Sequence, residues 1–363
     1  MKTADFDYDL PGELIAQHPP AERDAARMLV LDPSSHHVTH ASIRDLPGYL
    51  EPGDLLVFND SRVLPARLMG RRRDGGEAEV LLLRPVDGGH HRWQALIRPA
   101  RRLEAGSQVF FDQSPLAISV EARHHETATV RLDGVPDPLS EVRRIGQMPT
   151  PPYIRERLAD RERYQTVFAR EEGSAAAPTA GLHFTPELLN AIRDRGVNLA
   201  FVTLHVGLDT FQPVRVDDPS QHSIHREWFR IDEATANAVN DTRRRGNRVV
   251  AVGTTSVRTL ESAAAGDRVR AGDAWTGLLI LPGHRFQVVD AIITNFHLPK
   301  STLLMLVSAF AGREQILAAY KEAIREGYRF YSFGDSMLIT TPTLPSPRGG
   351  GNLSPPRGRG KRN

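Results

Sequence analysis

Between residues 64 and 133 the chain changes its rhythm, and this limits the fold more than any other feature. Short apolar or alternating runs occupy 64–69, 78–83, 93–97, 108–111, 116–121 and 127–132, with no helical periodicity among them. Turn material separates the runs, for example Asp74-Gly75-Gly76, Glu104-Ala105-Gly106 and Asp112-Gln113-Ser114-Pro115. Strands this short at this spacing predict a small all-β barrel or sandwich.

On both sides of that window, strand and helix patterns alternate. Residues 27–31 and 55–59 are continuous apolar runs suited to buried strands. Thr185 can cap a helix that has Pro186 at its first position and ends at Gly196, with Leu188, Leu189 and Ile192 on its buried face. Strands at 199–206, 248–252 and 292–294 alternate with helices capped by Asp232 and Ser301, and a further helix closes at Gly327. The expected fold is therefore α/β with a largely parallel sheet, interrupted by an inserted β-barrel. The expected boundaries are 1–63 and 150–341 for the main α/β unit and 64–149 for the barrel.

The 363 residues include no cysteine, which excludes disulfides, thiolate metal sites and a cysteine nucleophile. The net charge of +2 is unevenly placed. Five basic and no acidic residues lie in 342–363, leaving 41 Lys+Arg against 44 Asp+Glu elsewhere. That tail is dominated by Pro, Gly, Ser and Arg, and is expected to be disordered. Local basic clusters remain as candidates for contact with nucleic acid, chiefly Arg71-Arg72-Arg73 and Arg101-Arg102. No apolar run is long enough to span a bilayer, and Asp5, Asp7, Asp9 and Glu13 stand where a signal peptide would be basic and then apolar. The expectation is a cytoplasmic protein without membrane contact.

Phosphate-loop, dinucleotide-fingerprint, His-Glu-x-x-His and Gly-x-Ser-x-Gly patterns are all absent. His222 and His225 have a conceivable metal spacing but no obvious third ligand. Polar residues instead gather at four strand ends. They are Asn59-Asp60-Ser61-Arg62, Thr203 with His205, Gly253-Thr254-Thr255-Ser256 followed by Arg258, and Asn295-Phe296-His297. Ligands of open α/β sheets bind beyond the carboxyl ends of strands, so this group predicts an active site.

Several of these segments resemble motifs of the S-adenosylmethionine:tRNA ribosyltransferase-isomerases of queuosine synthesis. The similar segments include Phe58-Asn59-Asp60-Ser61-Arg62, Pro151-Pro152-Tyr153-Ile154, Pro178-Thr179-Ala180-Gly181-Leu182-His183-Phe184 and Val202-Thr203-Leu204-His205-Val206-Gly207. Gly253-Thr254-Thr255-Ser256-Val257-Arg258, Thr294-Asn295-Phe296-His297-Leu298-Pro299 and Ser308-Ala309-Phe310-Ala311-Gly312 continue the likeness, which runs from Phe6 to about Ile339. Thr150, Ala175, Asp209 and His284 depart from the residues usual in that family.

The resemblance implies that the ribosyl part of S-adenosylmethionine is transferred and isomerised. The acceptor would be 7-aminomethyl-7-deazaguanine at the wobble position of a tRNA with a GUN anticodon. Epoxyqueuosine-tRNA, adenine and methionine would be the products, with no cofactor beyond the donor substrate, and nothing in the sequence demands more than a monomer. The candidate catalytic residues are the motif histidines His183 and His205, and His225 with Glu227. In an extended segment His225 and Glu227 project to one side, where a carboxylate can orient an imidazole. An exposed, salt-linked pair on an edge strand is the other reading of those two residues. Candidate binding residues are Asp60, Arg62, Thr254, Thr255, Ser256, Arg258, Asn295 and His297, with a helix start offering N–H groups to an anion. Simple capping by Thr255 or Ser256 and a structural hydrogen bond at His297 are the alternatives there. A tRNA-binding protein without catalysis and a metal-dependent hydrolase are the competing functions.

Overall fold

The computed structural model describes residues 1–34, 37–86, 89–125, 127–156, 158–207 and 213–340. The 342–363 tail and Asp209 lie outside the described residues.

Leu55–Asn59, Val249–Val252 and Ala291–Asn295 are buried at every position, as strands covered on both faces must be. They belong to a nine-stranded sheet. Its order is Gly272–Thr276, Glu227–Ile231, Asn198–Leu204, Leu55–Asn59, Val249–Val252, Ala291–Asn295, Ser336–Thr340, Arg27–Asp32 and His37–Ser42. From Asn198–Leu204 to Ala291–Asn295, four neighbouring strands are parallel. Ser336–Thr340 runs antiparallel to Ala291–Asn295 and parallel to Arg27–Asp32. The outer strands His37–Ser42, Glu227–Ile231 and Gly272–Thr276 all pair antiparallel. The parallel expectation thus holds for the centre of a mixed sheet.

Local signals set the helices. Thr185, Asp232 and Ser301 accept hydrogen bonds from the N–H groups of Leu188, Thr235 and Leu304, starting Pro186–Asp194, Glu233–Arg244 and Thr302–Ala311. Leu188, Leu189 and Ile192 are buried, as their spacing predicts. No helix among the described residues is long and apolar enough to cross a membrane.

The six strands of the 64–133 window are Arg67–Arg72, Glu77–Pro85, Arg92–Arg98, Gln108–Phe111, Ser114–Arg123 and Ala128–Asp133. They close into an antiparallel barrel. The first strand starts three residues later than its apolar run, because Pro65 has no N–H to give a ladder. Val80, Ile97, Val109, Ile118 and Val130 fill the interior. Where the chain enters and leaves the barrel, Arg67 and Gln147 pair their backbones.

Candidate active site

Because four central strands are parallel neighbours, their carboxyl ends lie along one edge of the sheet. Every polar group singled out by the strand-end argument starts from that edge. Between this edge and the barrel lies a cleft of about 940 Å³. The sheet side supplies His205, His225, Glu227 and Arg258, and the barrel side supplies Leu83, Arg84 and Trp93. A smaller hollow of about 40 Å³ adjoins it, lined by Thr254, Thr255, Asn295 and His297. Val206 and Leu303 line both spaces.

Glu227 is buried at the start of the second strand from the sheet's edge and forms an ion pair with Arg258. Its other oxygen accepts the N–H of Gly207 at 2.7 Å. Arg258 also donates from Nε to the carbonyl of Leu278 at 3.1 Å, while its buried Nη2 has no partner among the described residues. A buried guanidinium with a free N–H on a cleft wall can hold an acceptor there.

His205 follows the end of Asn198–Leu204, and its ring packs on Gly173, where an added Cβ would come within 2.5 Å of Cε1. Burial pushes its pKa down to about 4; Arg230 acts in the same direction, and Asp60 with a hydrogen bond at the Glu171 backbone opposes it. At neutral pH it is an uncharged imidazole whose buried Nε2 has no partner among the described residues. His225 lines the same cleft and is exposed in it.

In the hollow, Asn295 Oδ1 accepts the Thr179 hydroxyl at 2.9 Å, and His297 Nε2 lies 2.9 Å from Thr294 Oγ1. The His297 backbone is held on both sides. Its N–H donates to Tyr320 Oη at 2.9 Å, and its carbonyl accepts from Tyr8 Oη at 2.5 Å. Burial pushes the His297 pKa down to about 3.

Four candidates stand apart from both spaces or are occupied elsewhere. His183 lies in the short helix Thr179–His183, buried against the Gly334 carbonyl, to which Nε2 donates at 3.0 Å. Asp60 accepts the Thr203 hydroxyl and the Arg170 guanidinium, each at 2.7 Å. Arg62 reaches outward to Glu162 at 2.6 Å. Asp60 precedes and Arg62 lies within the short strand Ser61–Val63, which pairs with Glu171–Ser174, and neither residue lines the cleft or the hollow. Ser256 donates to the Val252 carbonyl at 2.8 Å within its own helix start. No group of three His, Asp or Glu side chains among the described residues is placed to hold a metal.

The sequence reading missed the aromatic walls. All three tryptophans of the chain, Trp93, Trp228 and Trp275, line the cleft. Trp275 is 42% exposed, and the Arg84 guanidinium of the barrel lies 5.1 Å from its ring centre. The usable signal was scarcity, because a residue type with three copies is conspicuous wherever all of them gather.

The family model for queuosine biosynthesis proteins matches residues 3–339. The chain is 53% identical over 344 residues to the S-adenosylmethionine:tRNA ribosyltransferase-isomerase of Symbiobacterium thermophilum, covering 93% of this chain and 100% of that protein. It is 52% identical over 345 residues to the Moorella thermoacetica protein of the same name, with the same coverage. A crystal structure of S-adenosylmethionine tRNA ribosyltransferase from Thermotoga maritima aligns with a TM-score of 0.54 at 38% identity, covering 92% of this chain and 99% of that one. With the strand-end motifs gathered around one cleft and the whole length of its relatives matched, the chain belongs to the queuosine biosynthesis protein family.

Proposed function

We propose that this protein is an S-adenosylmethionine:tRNA ribosyltransferase-isomerase, acting in the cleft between the barrel and the carboxyl edge of the sheet. The observation that carries the reading is the cleft itself. About 940 Å³ can hold a nucleoside donor together with part of a nucleobase acceptor. Trp228 and Trp275, which keep exposed surface in it, suit base stacking, the usual means of holding an unpaired RNA base. The acceptor is the aminomethyl-deazaguanine at the wobble position of a tRNA with a GUN anticodon. The enzyme is a cytoplasmic monomer with no resident cofactor, built as an α/β unit (1–63 and 150–341) around an inserted barrel (64–149). The motif likeness supports these finer statements.

The sulfonium of the donor acidifies the adjoining C5′ hydrogens, so a base in the cleft can remove one. His225 takes that proton. Its catalytic partner is Glu227, two residues on and lining the same cleft, where Arg258 and the Gly207 N–H anchor the carboxylate. His205 is the second candidate base. Adenine leaves, the acceptor amine attaches the rearranged ribosyl group, and methionine is released. The test is incubation of the full chain with S-adenosylmethionine and precursor-containing tRNA. Adenine and methionine should appear together with epoxyqueuosine in the tRNA, and absence of adenine release would remove the assignment.

A further inference from the structure

The start of the Thr254–Ala263 helix has more donors than the described residues use. Its N-cap is Gly253, held at φ +88 with no side chain to cap the helix. The N–H groups of Thr254, Thr255 and Ser256 therefore face outward from the first turn without an intrahelical acceptor. This turn is buried. Two side-chain atoms beside it, Thr255 Oγ1 and Asn295 Nδ2, are also buried and lack a partner among the described residues. Thr255 is 8% exposed and Asn295 3% exposed, and both line the 40 Å³ hollow. The Thr179 hydroxyl engages Asn295 Oδ1, which leaves the amide's N–H end for the hollow.

The chemistry of the hollow is narrow. Its walls include no Asp, Glu, Lys or Arg. N–H and O–H donors converge at the positive end of a ten-residue helix, so the favoured occupant is a small anionic acceptor. The hollow is more than twentyfold smaller than the cleft beside it. That size suits a small group such as a carboxylate better than a purine ring or a phosphodiester carrying two sugars. Arg258 is the weaker alternative for an anion, because Glu227 already matches its charge and its free N–H opens into the larger cleft.

We propose that the hollow seats the amino-acid carboxylate of S-adenosylmethionine, held by the Thr254 and Thr255 N–H groups, Thr255 Oγ1 and Asn295 Nδ2. The donor then threads past the shared wall of Val206 and Leu303, leaving its ribosyl and adenine parts in the cleft. This inference rests on the reading that S-adenosylmethionine is the donor substrate.

The test compares equilibrium binding of S-adenosylmethionine and decarboxylated S-adenosylmethionine to the full chain. The wild type should bind the decarboxylated compound about 30-fold more weakly, the scale of losing charge-assisted hydrogen bonds. Asn295→Asp should weaken S-adenosylmethionine binding by a similar factor and leave the decarboxylated compound unaffected. Thr255→Val should act the same way, about fivefold, and Thr255→Ser should restore binding. Equal binding of both compounds by the wild type, or equal weakening of both by the variants, would overturn the carboxylate assignment. A wild type that releases adenine from S-adenosylmethionine yet ignores the carboxylate removes this inference and leaves the proposed activity standing. A wild type that binds neither compound removes both.

Discussion

Two buried arginine–carboxylate pairs occupy opposite edges of the central sheet, and they are completed differently. At the amino edge, Asp54 precedes Leu55–Asn59 and Arg248 precedes Val249–Val252. Arg248 Nε donates to both Asp54 oxygens at 3.1 and 3.0 Å, and its Nη2 also donates to the Tyr49 carbonyl at 3.1 Å. Asp54 further accepts the Glu51 N–H at 2.8 Å, and neither residue has a buried polar atom left unpaired. At the carboxyl edge, the Glu227–Arg258 pair leaves Arg258 Nη2 without a partner among the described residues, and His205 Nε2, Thr255 Oγ1 and Asn295 Nδ2 likewise have none there. Folding alone favours saturating every buried donor and acceptor. One edge follows that rule, and the other keeps polar atoms facing a cleft and its hollow. The amino edge is therefore read as structural and the carboxyl edge as the place of chemistry.

The largest effect should come from breaking the saturated pair. Asp54→Ala strands a buried guanidinium and should lower stability by about 3–5 kcal/mol, the usual cost of removing one partner of such a pair. Denaturant titration measures that loss. Under conditions where the variant is folded, its KM for S-adenosylmethionine should match the wild type, and a raised KM would break the division between edges. The mirror experiment is His225→Ala. It should slow single-turnover adenine release about a hundredfold or more while changing the unfolding midpoint little, since His225 is exposed in the cleft. Near-normal chemistry in that variant would move the assignment to His205.

This contrast was half legible in the sequence. The four carboxyl ends could be found because polar clusters follow uninterrupted apolar runs, and neighbouring parallel strands then had to bring them to one edge. The barrel was legible for a similar local reason, its period-two runs and turn residues. Residues whose direction depends on distant partners were not. Asp60 is drawn to Arg170, and Arg62 to Glu162 about a hundred positions away, through the pairing of Ser61–Val63 with Glu171–Ser174. His183 ends in a short helix, where alternation says nothing about the side chain. The barrel wall of the cleft, including Arg84 over Trp275, depends on how two separate cores meet, and no local pattern encodes that.

The histidines extend the comparison to pH. His183, His205 and His297 are pushed down to about 4, 4 and 3 by burial. In the unfolded chain a histidine titrates near 6.5. Below that pH the unfolded state binds protons that these three sites refuse, so stability is full above about 6.5 and falls as pH drops toward 4. Each such site contributes up to about 1.4 kcal/mol per pH unit within that window. His183→Gln retains a donor for the Gly334 carbonyl and should flatten the slope of unfolding free energy against pH by one proton. An unchanged slope would show that His183 is charged when folded and would break the account of its burial.

The smallest effect belongs to a surface remote from both edges. Arg71 and Arg73 are exposed on the barrel, and Arg71 faces Asp112 only at 3.8 Å between two exposed side chains. Such a pair holds little energy, so replacing both arginines with Gln should leave the unfolding midpoint nearly unchanged. What the arginines retain is positive charge able to follow an RNA backbone. The double variant should therefore raise KM for tRNA several-fold at low salt, with KM for S-adenosylmethionine unaltered. Screening shortens the reach of exposed charges, so the difference should fade as ionic strength rises. Each lost phosphate contact should also lower the slope of log affinity against log salt by somewhat under one. Arg72 is left in place because its side chain is largely covered and sits 3.2 Å from Asp74, where it supports the turn. A variant whose S-adenosylmethionine KM rises while its tRNA KM stays level would put the donor beside the barrel's outer face, and the carboxyl edge would lose its claim to the chemistry.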